Sequence, residues 1–270
     1  MDILALSPIY GRFDRSVQYA GELAAQINAS LTGLYVSEPI PVMSTPMAIP
    51  EIYTLASDLA HAAAETRPAF EKWARSQGIM RARWVVAEGY IGVTLAQLSS
   101  QHDLLVLESG EGVTWGSPRM LGKIALTAGL PCLIVPQHYE RKALVETIAL
   151  AWNGSTEAMR AIHAALPLIK RAKKVLLIHG ERKASFTSVL WRPELTIEDY
   201  LSMHEVAFER QYFDASGETA GRELLKVAQD KKADLLVMGA YGHTRFSEWM
   251  LGGATLHVLE HAALPIFLRH

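Results

Sequence analysis

The chain has a single cysteine, Cys132, so no disulfide can form within it. That fits a reducing compartment. It also has no surplus of either charge: 26 Lys and Arg stand against 28 Asp and Glu, a formal net charge of −2. A nucleic-acid binder would show a basic stripe, so that class of partner is not expected. No stretch approaches the length of an uncharged membrane-spanning helix, and no membrane partner is expected. The start, Met1-Asp2-Ile3-Leu4, lacks a positive region followed by a long apolar one, so no secretory signal is expected and the location expected is cytoplasmic. Half of the 270 residues are hydrophobic, ample for one large core or two smaller ones.

What the chain does have is an internal repeat. Asp103-Leu104-Leu105-Val106-Leu107 recurs as Asp234-Leu235-Leu236-Val237-Met238. Gly129-Leu130-Pro131-Cys132-Leu133-Ile134-Val135 recurs as Ala263-Leu264-Pro265-Ile266-Phe267-Leu268. A period of about 130–145 residues is domain-sized, too long for a solenoid. The expected domains are 1–138 and 144–270, divided at the polar stretch from Gln137 to Lys142.

Short apolar runs bounded by Gly or Pro read as strands covered on both faces. In the first half these are Ile3–Leu6, Leu31–Val36, Arg83–Ala87, Leu104–Leu107 and Cys132–Val135. In the second they are Thr147–Ala151, Val175–His179, Val206–Phe213, Leu235–Met238 and Ile266–Leu268. Helical spacing falls between them, over Asp14–Ile27, Tyr53–Gln77, Thr156–Leu166 and Gly221–Gln229, with Ser155 or Thr156 as a helix cap. This alternation predicts an α/β fold: two tandem five-stranded, parallel, doubly wound, Rossmann-like domains. Pro39–Pro50, with four prolines, reads as an irregular loop.

The chemistry-bearing motif follows the fourth strand of the second half. Met238-Gly239-Ala240-Tyr241-Gly242 is followed, nine residues after Gly242, by Gly252-Gly253-Ala254-Thr255 and a helical stretch. Glycines let a backbone approach a ligand, and a helix start offers N–H donors and positive dipole to phosphate. Ligands of open α/β sheets bind at the carboxyl ends of the strands. The pattern Gly239-x2-Gly242-x9-Gly252 resembles the ATP-binding motif of the universal stress protein family. Asp234-Leu-Leu-Val-Met-Gly, Ala151-Trp152-Asn153-Gly154-Ser155 and Ala262-Ala263-Leu264-Pro265-Ile266 resemble that family's flanking segments.

The resemblance implies a nucleotide-binding stress-response or regulatory protein of tandem form, and not an enzyme. It implies ATP, or AMP or ADP, as cofactor, with Mg2+ as a companion ion. It places Ala151 and Asn153 beside adenine and ribose, Gly180 near the base, Met238 and Gly239 along the adenosine, and Gly242, Gly252, Gly253, Ala254 and Thr255 around the phosphates. Asn153 stands where the family usually has Asp, and Gly253 where it usually has Ser or Thr. The first removes a charge near any metal. The second removes a hydroxyl, worth about 0.5–1.5 kcal/mol, that leaves Thr255 as a source of one. Binding would order the loop from Tyr241 to Leu251 and change a surface seen by a protein partner. In this family the last strand commonly pairs with that of a second domain, so the two halves are expected to form a pseudo-twofold internal dimer, with homodimerisation open besides.

Two other readings stand beside this one. The same fold with an empty pocket would be an interaction module. A nucleotidyl transferase or ATP pyrophosphatase would need a His-x-Gly-His pair or a Ser-Gly-Gly-x-Asp-Ser loop, and neither occurs. With no general base or metal-ligand set in view, any ATP hydrolysis is expected to be slow. The first half places Glu108 and Glu111 where Gly239 and Gly242 stand, and Ser7-Pro8 at its first turn, so it is read as a structural partner. Both glutamates read as solvated loop carboxylates. His257 and His261 read as helix surface, Cys132 as a buried small hydrophobe, and Arg171–Lys174 as a solvated helix end. Trp152 and Tyr241 flank the expected pocket, where stacking and packing are both open.

Overall fold

The computed structural model describes residues 1–38, 49–180, 196–213, 215, 217–240 and 253–270. Residues 39–48 of the loop expected over Pro39–Pro50, and the motif glycines Gly242 and Gly252 with Tyr241, lie outside these residues; the last two residues of that expected loop are helical.

The chain divides into two units. The first is Met1–Ser117 with Thr127–Ala143; the second is Pro118–Leu126 with Leu144–His270. The polar stretch read as a linker belongs to the first unit. Tyr139 in it is buried and meets Tyr19 edge-on at 5.9 Å. The Arg15 side chain donates to the Tyr139 carbonyl at 2.6 Å, and Glu22 accepts from the Ala143 amide at 2.7 Å.

The first unit runs β1 (Asp2–Ser7), α1 (Arg15–Ile27), β2 (Ser30–Ser37), α2 (Ile49–Ala64), α3 (Arg67–Ser76), β3 (Ala82–Glu88), α4 (Ile91–Ser99) and β4 (Leu104–Ser109). Then come α5 (Pro118–Thr127), whose first nine residues group with the second unit, and β5 (Cys132–Pro136). Its strands lie in the order β3-β2-β1-β4-β5, all parallel. The second unit runs β6 (Thr147–Trp152), α6 (Thr156–Ile169), β7 (Lys174–His179), α7 (Ile197–Met203), β8 (Glu209–Tyr212), α8 (Gly217–Asp230), β9 (Leu235–Gly239), α9 (Gly253–His261) and β10 (Ile266–Arg269). Its order is β10-β9-β6-β7-β8, again parallel. The expected doubly wound five-stranded architecture is present in each unit.

The repeated Asp-Leu-Leu-Val segments fill equivalent places. Ile3 pairs with Leu104 as Ile148 pairs with Leu235, and Ala5 with Val106 as Leu150 with Val237. The leading aspartate has a structural task in both. Asp103 accepts from the Asp2 amide at 2.8 Å. Asp234 accepts from the amides of Glu146 and Thr147 at 3.2 and 2.9 Å. Each carboxylate thus pins the start of its unit's first strand. The middles of these strands are wholly buried, as parallel strands sandwiched by helices must be.

Two elements depart from the sequence reading. The helix expected over Tyr53–Gln77 is two helices, α2 and α3. Pro68 at the second position of α3 lacks an N–H and disfavours helical geometry at the residue before it, which breaks the run at Glu65–Thr66. The strand expected over Val206–Phe213 is only Glu209–Tyr212. It is the outer strand of its unit, and the charged Glu209 and Arg210 suit an edge. Cys132 is fully buried, as expected of a small hydrophobe. The Arg171–Lys174 run is not wholly a helix end: Lys174 opens β7 and pairs with Glu209 at 3.0 Å, while Lys173 pairs with Glu146 at 2.7 Å.

Candidate nucleotide site of the second unit

The first turn of this site is built by Asn153. Its Oδ1 accepts from the Ser155 amide at 3.1 Å, and Gly154 between them takes φ of +78°, where a side chain would be strained. The turn delivers Ser155 to the helix cap, where its Oγ accepts from the Ala158 amide at 3.2 Å. The first-turn amides of α6 therefore open at the carboxyl end of β6.

Gly239 ends β9 directly against that turn. A Cβ built on it would lie 2.5 Å from the Ala158 nitrogen and 2.5 Å from the Glu157 carbonyl carbon. Only glycine lets strand and helix start come this close. Beyond it Ala240 is pinned to the end of β10: its amide donates to the Arg269 carbonyl at 2.9 Å, and its carbonyl meets His270 Nδ1 at 3.1 Å. On the other side of β6, Ala151 pairs with Ile178 and Trp152 with His179, and the Gly180 amide donates to the Trp152 carbonyl at 2.9 Å. Ala151, Asn153, Gly180, Met238 and Gly239 thus gather at the carboxyl ends of β6, β7 and β9. Met238 is buried; the other four are half-buried.

The α9 residues of the motif are placed differently. Gly253, Ala254 and Thr255 form the first turn of α9. Thr255 is buried, and a Cβ at Gly221 of α8 would lie 2.8 Å from the Ala254 carbonyl oxygen. Ala254 therefore abuts α8 through its backbone.

Three features escaped the sequence reading. The Phe213 ring reaches from the end of β8 to Gly180, with its tip 3.1 Å from where a Cβ there would sit. Beside it His179 stacks on Tyr212 at 5.0 Å and meets Glu198 at 3.4 Å, and Arg210 pairs with the same Glu198 at 3.3 Å. Glu157, in the first turn of α6, has a buried Oε2 with no hydrogen-bond partner among the described residues. Its position at a helix start beside Gly239 was the available signal; Phe213 and Gly180 are too far apart in sequence to announce their contact.

The equivalent place in the first unit is filled. Glu108, the last residue but one of β4, holds the register place that Gly239 holds at the end of β9, and its carboxyl lies toward the start of α1. Glu108 is 7% exposed, which corrects its reading as a solvated carboxylate; Glu111 is exposed as expected. The sequence could not show that α1 closes over the end of β4. Burial, and then the Asp14 carboxylate, push the Glu108 carboxyl up to about 7, against the Ser16 amide and Arg15, which pull it down.

On α9 the His257 and His261 rings stack at 4.2 Å, and His261 Nδ1 meets the His257 carbonyl at 2.9 Å. Among the described residues no group of three His, Cys, Asp or Glu side chains could hold a metal, and no helix is long and apolar enough to cross a membrane.

A doubly wound sheet with a glycine-crested strand against a helix start defines the α/β class that takes ligands at its strand ends. Residues 145–268 match the family model of the universal stress protein family. A universal stress protein of Synechocystis sp. is 22% identical over 182 residues, covering 66% of this chain and 61% of that protein's length. The crystal structure of a universal stress protein from Archaeoglobus fulgidus is similar with a TM-score of 0.70 at 16% identity, covering 99% of this chain and 95% of that one. A putative universal stress protein from Pseudomonas aeruginosa gives 0.60 at 14%, covering 99% and 92%. At such identities the structural likeness is one of fold. The match to the universal stress protein family thus falls on the second unit, and the whole chain shares the fold of these two structures.

Proposed function

We propose that the chain is an adenine-nucleotide-binding regulatory protein of the stress response, holding ATP or AMP at the strand ends of its second unit. The observation that carries this reading is the contrast at one position. Gly239 leaves the end of β9 bare beside the first turn of α6, whereas Glu108 fills the same place in the first unit. An anion approaching α6 meets amide hydrogens and the positive end of the helix dipole, with the Glu157 carboxylate beside them as a seat for a companion cation. One approaching α1 meets a carboxylate already seated there.

Ala151 and Asn153 border the sugar and base, Gly180 with the Phe213 ring closes the side toward β8, and Met238 and Gly239 form the floor. Mg2+ is usually held by one or two carboxylates together with substrate phosphates. Asn153 has its Oδ1 on the Ser155 amide, so Glu157 in the first turn of α6 would be the carboxylate to hold the ion, and the nucleotide's phosphates would supply the remaining oxygens. Such a group would neutralise phosphate charge that one neutral turn cannot. The role is binding and not catalysis, since nothing in this set activates a water.

Calorimetric titration of the full chain with ATP and with AMP should give one site per chain. Two equal sites would refute the asymmetry between the units. No site would favour an interaction module with an empty crest. Gly242→Asp, in the motif outside the described residues, should cost at least about 1.4 kcal/mol of affinity, or tenfold, by placing negative charge beside phosphate.

A further inference from the structure

Two histidines, His257 and His261, stand one turn apart on α9. Residues four apart on a helix share a face, one above the other. Here the two rings lie within 19° of parallel, with centroids 4.2 Å apart. His261 Nδ1 meets the His257 carbonyl at 2.9 Å. A carbonyl oxygen can only accept, so that nitrogen carries the ring proton. The lone pair of a neutral His261 is therefore on Nε2, the outer nitrogen, where a metal ion can take it. The same bond holds the ring over its partner, as the second hydrogen bond of a ligating histidine does.

His257 is held from the other side. It is half-buried, and a Cβ at Gly221 of α8 would lie 3.0 Å from its Cβ, so α8 packs on the base of the side chain. His261 is exposed and opens the pair to solvent. The pair lies toward the carboxyl end of α9, the negative end of the helix dipole, which favours a cation. The charged neighbour on α9, the exposed Glu260, is an anion as well. Arg222, next to Gly221 on α8, is engaged with Glu223 at 3.6 Å.

The donor set selects the ion. Mg2+ and Ca2+ take oxygen ligands, whereas imidazole nitrogen suits late first-row divalent ions. Two histidines four apart on one helix face are the spacing that supplies two ligands to Zn2+ in helical metal motifs. With two protein ligands, water fills the remaining positions, so the ion is exchangeable and unlike the closed four-ligand structural kind.

We propose that His257 and His261 form a two-histidine chelate on α9 for a late first-row divalent ion of the Zn2+, Ni2+ and Cu2+ class. The ion takes Nε2 of each ring and staples one turn of the helix whose start carries Gly253, Ala254 and Thr255. This site is separate from any Mg2+ beside nucleotide phosphates, and it does not rest on nucleotide binding.

The test is a Zn2+ titration of the full chain, free of nucleotide and chelator, followed by NMR of nitrogen-labelled histidine rings. The chain has ten histidines, so individual ring signals and variants decide where the ion sits. Zn2+ should move the Nε2 signals of His257 and His261 together, with one midpoint; Mg2+ at the same concentration should move neither. His261→Gln, at an exposed position that leaves the α8 contact intact, should weaken Zn2+ binding at His257 at least about tenfold. Zn2+ should also slow amide exchange in the last turn of α9 in the unaltered chain and not in His261→Gln. A Zn2+ titration that leaves either ring unmoved overturns the proposal. So does a His261→Gln chain that binds Zn2+ at His257 as tightly as before, because the two rings would then be plain helix surface and no chelate.

Discussion

At the meeting of strand end and first helix, the two units solve one geometric problem in opposite ways. In the second, Ser155 caps α6 after a three-residue turn, and Gly239 brings the strand within a Cβ's reach of the helix backbone. In the first, the connection is longer, Asp14 caps α1, and Glu108 supplies a buried carboxylate to the same helix end. A duplicated fold can keep its sheet and its strand-pinning aspartates while one copy leaves its strand end bare and the other fills the same place with a side chain. At the strand end itself the difference is one side chain, Glu108 against Gly239, so exchanging it is the sharpest way to break the comparison.

Gly239→Glu should have the largest effect. The new Cβ would sit 2.5 Å from two backbone atoms of α6, which must shift. Overpacking of this kind costs about 1–3 kcal/mol, and the carboxylate adds repulsion toward phosphate. The expected result is a lower denaturation midpoint together with loss of nucleotide binding. A folded Gly239→Glu protein that binds ATP as tightly as before would separate the crest from the ligand site.

Next comes the pH dependence of stability that Glu108 confers. Its folded-state carboxyl lies at about 7 against 4.5 for the free group, so between those values the folded chain holds a proton the unfolded chain has released. The stabilisation is fully present below pH 4.5 and is lost as pH rises through about 7. At about 1.4 kcal/mol per pKa unit, its size is about 3 kcal/mol. Urea denaturation at several pH values should show stability falling across this window, and Glu108→Gln should remove that fall. An unaltered slope in the variant would assign the pH dependence to other groups.

Much of this architecture is legible in the amino-acid sequence. The repeated Asp-Leu-Leu-Val segments, the Gly- and Pro-bounded apolar runs and the glycine spacing depend on local patterning, which sequence displays directly. They locate the ten strands and five of the eight described candidate residues, those at the ends of β6, β7 and β9. What stays hidden is tertiary. Glu108 looks like any acidic residue after a strand until α1 is seen to close over it. Gly180 gives no sign that Phe213, on the next strand over, points its ring there. Pro68 is a legible helix breaker, but helical spacing continues on both sides of it and masks the break.

The smallest effect, and the finest test of the comparison, is expected at Asp103 when it is set against Asp234. Both pin a first strand, but Asp103 is 58% exposed while Asp234 is buried with two amides on one oxygen. Bonds to a charged acceptor are worth about 1.5–3 kcal/mol each when shielded, and exposed pairs closer to 0–1 kcal/mol. Asp234→Ala should therefore cost about 3 kcal/mol, from two orphaned amides. Asp103→Ala should cost less than about 1 kcal/mol, because water replaces the carboxylate at the Asp2 amide. Urea midpoints of the two variants measure the difference directly. Equal losses would mean that exposure does not separate the two pins, and that the first unit depends on its strand start as heavily as the second does on its own.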